Sequence, residues 1–208
     1  RVHGKGRIIW DDTASPGASD AASPIMDAKW IWLPQGEPAQ SAPMEALVFR
    51  REFTLPADRK LTSARLEMTA DNSFTATLNG TPVGEGNNFH QVYSRDVTSA
   101  MKPGKNILVV RAENSGDAPN PAGLIGALRL KFSDDAQQLI VTDEQWSVVQ
   151  AGTTPEVSQT AKALGAAKMA PWNLEAPSVA PELYPPYERT AALLRQMDVG
   201  TAFDSPAP

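Results

Sequence analysis

The sequence predicts an all-β sandwich or barrel between about residues 30 and 150, and three observations carry that expectation. Short runs rich in apolar and β-branched residues recur with turn signals between them, the pattern of a sandwich or barrel. Within the runs, apolar and polar side chains alternate with period two, as on a strand with one buried face. Eight or more such runs leave almost no room for a helix.

The N-terminal ten residues, RVHGKGRIIW, read as a short strand after a glycine turn. Residues 11–24 are an Ala/Ser/Asp/Pro/Gly linker without periodicity, so residues 1–27 form an N-terminal strand and linker. In AKWIWLP, Trp30 and Trp32 flank Ile31, and a regular strand turns both indoles to one side. A strand follows at 47–53. In ARLEMTA, Ala64, Leu66, Met68 and Ala70 face one way, and Arg65, Glu67 and Thr69 the other. FTATLN repeats the pattern with Phe74, Ala76 and Leu78 inward, and ends in Asn79-Gly80. That dipeptide best tolerates the positive φ values of a tight hairpin. Asn79-Gly80-Thr81 also matches the glycosylation acceptor sequence, but the turn alone is sufficient to account for it. NILVVRA (106–112), apolar on both faces, predicts a central strand. LRLKF turns Leu128, Leu130 and Phe132 to the core, and further strands are expected at 138–142 and 146–149, with Trp146 in the core. Residues 151–208 form a Pro-rich tail with short helices expected at 156–169 and 187–197. Trp172, Leu174, Leu183, Tyr184 and Tyr187 are too apolar for a free linker, so the tail is expected to wrap back onto the sandwich.

Composition narrows the function classes. The 208 residues carry 19 basic and 24 acidic side chains, net −5, which argues against a nucleic-acid partner. No apolar run approaches the roughly 20 residues that cross a bilayer, so no membrane partner is expected. The absence of cysteine excludes a disulfide scaffold, a thiolate nucleophile and a cysteine zinc site. The chain reads as a module cut from a longer protein.

Little in the chain points to catalysis. There is no nucleophile elbow, P-loop or dinucleotide fingerprint. The histidines are only His3 and His90, and Asp11-Asp12 and Asp134-Asp135 read as solvated turn acids. The most informative constellation joins two loops: Thr69-Ala70-Asp71-Asn72, and the stretch from Asn114 through Asp117, Pro119 and Asn120 to Pro121. Carboxylate, amide and carbonyl oxygens are what a hard cation such as Ca²⁺ takes, and they also suit sugar hydroxyls. The same residue types are ordinary turn formers.

Residues 28–149 resemble the galactose-binding-like modules attached to α-L-rhamnosidases and related glycoside hydrolases. The resemblance is carried by AKWIW, FRREFTLP, ADN followed by LNG, the K-P-G-K-N turn entering a strand, NPAGLIGALRLKF and TDEQWSVV. It implies a jelly roll over 28–150 and a non-catalytic carbohydrate-binding module of a larger secreted or periplasmic bacterial protein, with carbohydrate and neighbouring domains as partners. Some members bind a terminal sugar through Ca²⁺. The residues matching their calcium ligands are Asp71, Asn72, Asn114 and Pro119; Asp117 and Asn120 extend the ligand-binding set, and Phe89 or Tyr93 is expected to cover a sugar ring. With only one or two acids, a weak calcium site of about 10⁻⁴–10⁻³ M is expected. Other members act as structural modules that position neighbouring domains without binding sugar.

Overall fold

A computed structural model describes residues 23–152 and 157–176. The N-terminal strand expected at 1–10, the linker as far as residue 22 and the helix at 187–197 lie outside these residues. A 3₁₀ turn, Pro24–Asp27, enters β1 (Lys29–Trp32), and a second, Thr98–Ala100, comes later in the chain. Then follow β2 (Glu45–Thr54), β3 (Leu61–Asp71), β4 (Ser73–Leu78), β5 (Thr81–Gly86) and β6 (Tyr93–Asp96). The remaining strands are β7 (Lys105–Asn114), β8 (Gly123–Phe132), β9 (Gln137–Val141), β10 (Ser147–Gln150), β11 (Gln159–Thr160) and β12 (Lys162–Ala166).

The strands form two antiparallel sheets packed as a jelly-roll sandwich. The first runs β12-β1-β8-β3-β6, with β9 also paired to β8, and the second runs β11-β10-β2-β7-β4-β5. Register follows the alternation of the sequence. Ala64, Leu66, Met68 and Ala70 of β3 all point into the space between the sheets, opposite Leu130, Leu128, Gly126 and Leu124 of β8. From the second sheet, Leu47, Phe49, Phe74, Leu78, Leu108 and Val110 close on them, with Trp146 sealing one side. Burying each large side chain stabilises the fold by about 1.5–3 kcal/mol. The hairpin expected at Asn79-Gly80 is present, with φ of 54° and 84°.

Two expectations are corrected. The helix over 156–169 does not form, because β11 and β12 occupy 159–160 and 162–166, and β12 pairs with β1. Alanine-rich composition favoured a helix, but the free edge of β1 supplies a ladder of backbone partners that overrides propensity. Nor do Trp30 and Trp32 share a side. Trp32 lies in the core against Phe49, whereas Trp30 joins a second cluster with Ile25, Ile125, Ala127, Trp172 and Leu174. A register shift falls beside the pair, where β12 carries Leu164 as an extra residue between the partners of Trp30 and Ile31, so the ladder there is irregular.

The second cluster covers the outer face of the first sheet. It accounts for the burial of Glu67 and Thr69, which alternation turns away from the main core. Glu67 accepts hydrogen bonds from the Ser23 hydroxyl and from the Ile25 backbone N–H at 3.4 Å, fixing the 3₁₀ turn to β3. Trp172 and Leu174 are buried here, so the tail wraps back as far as it is described.

Candidate functional site

Asp71 and Asn72 stand where the chain passes from β3 of one sheet to β4 of the other, joined by a cis peptide bond. The loop from Ser115 to Ala122 links β7 to β8 at the same end. Asn72 ties the two together, since its backbone N–H donates to the Glu113 carbonyl at 2.9 Å and its Oδ1 accepts from the Ser115 N–H at 2.7 Å. The loop is braced from within: Asn120 Nδ2 donates to the Ala118 carbonyl at 2.9 Å and to the Ser115 carbonyl at 3.2 Å. A two-way backbone bridge between Asn120 and Ala42 fastens it to the β1–β2 connection.

Asn114 ends β7 facing inward and is 2% exposed. Its Nδ2 donates to the carbonyls of Pro43 at 3.0 Å, Ala42 at 3.3 Å and Asn120 at 3.5 Å. Three carbonyl acceptors fix which branch of the amide is nitrogen. Its Oδ1 is then a buried acceptor without a hydrogen-bond partner. Such an oxygen costs about 1–3 kcal/mol unless something satisfies it, and an unpaired group of this kind in a native fold calls for a reason. Directly across the ladder stands Glu45, whose carboxylate accepts from Trp32 Nε1 and from Gln150 Nε2, each at 3.3 Å. Burial pushes the Glu45 carboxyl above its ordinary range, and the Trp32 indole opposes the shift. Met44, Glu45, Glu113, Asn114, Ser115 and Gly116 line a shallow, open cleft beside the loop.

Asp71 points the other way, onto the outer face of the first sheet. Its Oδ2 accepts from the Trp172 indole N–H at 2.9 Å. Burial raises the Asp71 carboxyl above the usual range, while the indole bond and the charge of His90 pull it back. Among the described residues no hydrogen bond reaches Asp71 Oδ1.

The structure therefore brings Asn72, Asn114 and Asn120 into one braced cluster, with Asp71 adjacent in sequence but directed to Trp172. Asp117 and Pro119 are exposed on the loop. Phe89 is half-buried against the second cluster and lies against His90, with ring centroids 4.0 Å apart and planes tilted by 38°. Tyr93 packs edge-on to Phe74 at 5.8 Å and its hydroxyl accepts from the Asn87 N–H at 3.2 Å. Trp172, Glu45 and the Ala42–Pro43 carbonyls join the neighbourhood without any sequence motif. Trp172 alone left a signal, as an aromatic residue stranded in a proline-rich stretch.

Among the described residues no three His, Asp or Glu side chains gather as metal ligands. A cation here would rest on a mixed set of carboxylate, amide and backbone oxygens, the hard donors that calcium takes. The unsatisfied Asn114 Oδ1 fits such a group.

No protein-family model matches the chain. A curated α-L-rhamnosidase of Streptomyces avermitilis is 32% identical over 156 residues, covering 66% of this chain and 15% of the relative. The crystal structure of the Streptomyces avermitilis α-L-rhamnosidase complexed with L-rhamnose aligns with a TM-score of 0.67 at 29% identity, over 75% of this chain and 16% of that one. A lectin of Pleurotus ostreatus in its apo form aligns with a TM-score of 0.63 at 25% identity, over 74% of this chain and 47% of that one. The chain thus spans about a sixth of the rhamnosidase and about half of the lectin. It is similar, over about two thirds to three quarters of its length, to a β-sandwich portion of the Streptomyces avermitilis α-L-rhamnosidase and to the Pleurotus ostreatus lectin.

Proposed function

We propose that this sandwich is a non-catalytic carbohydrate-binding module of a larger, secreted or periplasmic bacterial glycan-active protein. The observation that carries the reading is the buried, unpartnered Asn114 Oδ1 at the end of the sandwich where the Asp71-Asn72 crossover and the 115–122 loop are bound together. The relatives support the ligand class. The Streptomyces avermitilis rhamnosidase was crystallised with L-rhamnose, and the Pleurotus ostreatus lectin with GalNAc. A non-catalytic role is supported by the extent of the match, 15% of the rhamnosidase's length.

Within this reading, Asn114 Oδ1, Asn72 and the Pro119 carbonyl would hold calcium at the braced loop, and Asp71, whose Oδ2 is turned to Trp172 on the outer face, would join them only through its other oxygen, Oδ1. When bound, the ion supplies open coordination positions for vicinal sugar hydroxyls. Asn120 keeps the loop closed. Asp117 adds a polar contact from the rim, and Phe89 and Tyr93 offer ring faces. The test is calorimetric titration of L-rhamnose and GalNAc with and without millimolar calcium, alongside a glycan array. Calcium-dependent binding lost on Asn114→Ala and on Asp71→Ala supports the reading.

One observation favours a second reading, a structural module that positions neighbouring domains. Asp71 Oδ2 and Asn72 Oδ1 already have protein donors. The absence of any thermal shift with calcium or sugar would decide for it. Turnover of an aryl glycoside, lost on mutating one carboxylate, would overturn both.

A further inference from the structure

The chain leaving β12 folds back across the outer face of the first sheet. Backbone bonds hold it in a compact turn: Met169 N–H donates to the Ala166 carbonyl at 2.9 Å, Asn173 to Met169 at 2.8 Å and Leu174 to Ala167 at 3.1 Å. Trp172 stacks on Trp30 with centroids 4.3 Å apart and planes 22° from parallel. Trp30 in turn donates its indole N–H to the Ala167 carbonyl at 3.0 Å. Trp30 thus holds the segment at two points, by stacking on its Trp172 and by donating to its Ala167 carbonyl.

The remaining contact reaches the candidate site. The cross-strand partner of Asp71 on β8 is Gly123. A Cβ there would stand 2.7 Å from the Trp30 ring and 2.9 Å from the Trp172 ring, closer than real Cβ atoms approach. Glycine at this position leaves the slot that lets the Trp172 indole lie beside Asp71 and donate to its Oδ2 at 2.9 Å. An indole N–H only donates, so it favours an acceptor in that place. A bond to a carboxylate is roughly twice as strong as one between neutral groups. One oxygen of the acid is held, while the other receives no hydrogen bond among the described residues.

We propose that Trp172 is the positioning residue of the candidate site, and that the segment Ala167–Leu174 is latched to the sandwich through the site's own acid. The positioning role rests on the function proposed above; the latch itself stands on the geometry. By linkage, whatever stabilises the Asp71 carboxylate in place also strengthens the docking of the segment, and the reverse holds by the same factor.

Amide hydrogen exchange on the full chain tests the latch in metal-free buffer. Asp71→Ala should speed exchange at Met169, Asn173 and Leu174 by about tenfold, the size of one charge-assisted hydrogen bond, while Val110 in the β2–β7 ladder stays protected. Trp172→Phe keeps an aromatic ring for Trp30 to stack on, loses the N–H together with part of the indole's bulk, and should do the same or more. Unchanged exchange at those three amides in both variants would overturn the latch. Calcium titrated into wild type should slow their exchange, and Trp172→Phe should weaken calcium binding by roughly tenfold. Equal calcium affinity in wild type and Trp172→Phe would overturn the positioning role. A wild-type chain that ignores calcium, while Asp71→Ala still loosens the segment, would sink the calcium reading and leave the latch standing.

Discussion

Two asparagines end the same strand and teach opposite lessons. Asn106 and Asn114 lie near the two termini of β7, both pointing between the sheets and both buried. Asn106 is saturated. Its Oδ1 accepts from Lys102 N–H at 2.9 Å and from Asn79 Nδ2 at 2.8 Å, and its Nδ2 donates to the carbonyls of Lys102 at 2.7 Å and Gly104 at 2.9 Å. Asn79 completes that staple by donating to the Ala100 carbonyl and accepting from the Ile107 N–H. Asn114 satisfies its nitrogen and leaves its oxygen without a partner. A buried amide with every group paired is architecture. One with a spare acceptor beside an oxygen-rich loop is where a ligand gains most.

The largest effect in this comparison should come from Asn106→Ala. It strands the N–H and carbonyl of Lys102 and removes half of the Asn79 staple, so urea unfolding should show a loss of about 2–4 kcal/mol. Asn114→Ala should cost about 1 kcal/mol, since the Ala42 and Asn120 carbonyls keep their bridge partners and an unpaired oxygen disappears with the side chain. Equal losses at both positions would erase the distinction. Asn79→Ala should fall between them, at about 1–2 kcal/mol, combining a lost hydrogen-bond pair with a positive φ that alanine resists.

The smallest effect sharpens the electrostatic side. Burial raises the Glu45 carboxyl in the folded state, so folding favours its protonated form. The stability that protonation contributes is complete below the ordinary carboxylate range and is lost as pH rises through the folded value. Glu45→Gln removes that dependence. Thermal melts should therefore show wild type losing ground to the variant as pH climbs from acid toward neutral. Parallel curves would mean that Glu45 feels no burial.

The fold was largely legible because a period-two pattern can be placed on a strand in only one way that hides its apolar face. Leu66 and Met68 declare their direction without help from the rest of the molecule. The errors came where a partner distant in sequence decides. Lys162–Ala166 is a strand because β1 offers an edge, and nothing local says so. Trp30 parts from Trp32 because Trp172, some 140 residues on, waits on the outer face. At the site, the Asp-Asn and Asn-Pro loops were visible as oxygen-rich turns. That Asn114 Oδ1 lacks a donor and that Trp172 reaches Asp71 depend on which distant neighbours are missing or present, and composition does not encode that.

The staple at Asn79 has a bearing on how this protein is made. Asn79-Gly80-Thr81 is an acceptor sequence for N-linked glycans, and the atom that would carry the sugar is the Nδ2 bonded to Ala100 and Asn106. A host with an oligosaccharyltransferase would meet this tripeptide before the hairpin closes. The adduct would then stand where two hydrogen bonds belong, prising Asn79 from Ala100 and Asn106. Bacterial expression, or Thr81→Ala in a eukaryotic secretory host, avoids that conflict, because Thr81 is exposed at the start of β5.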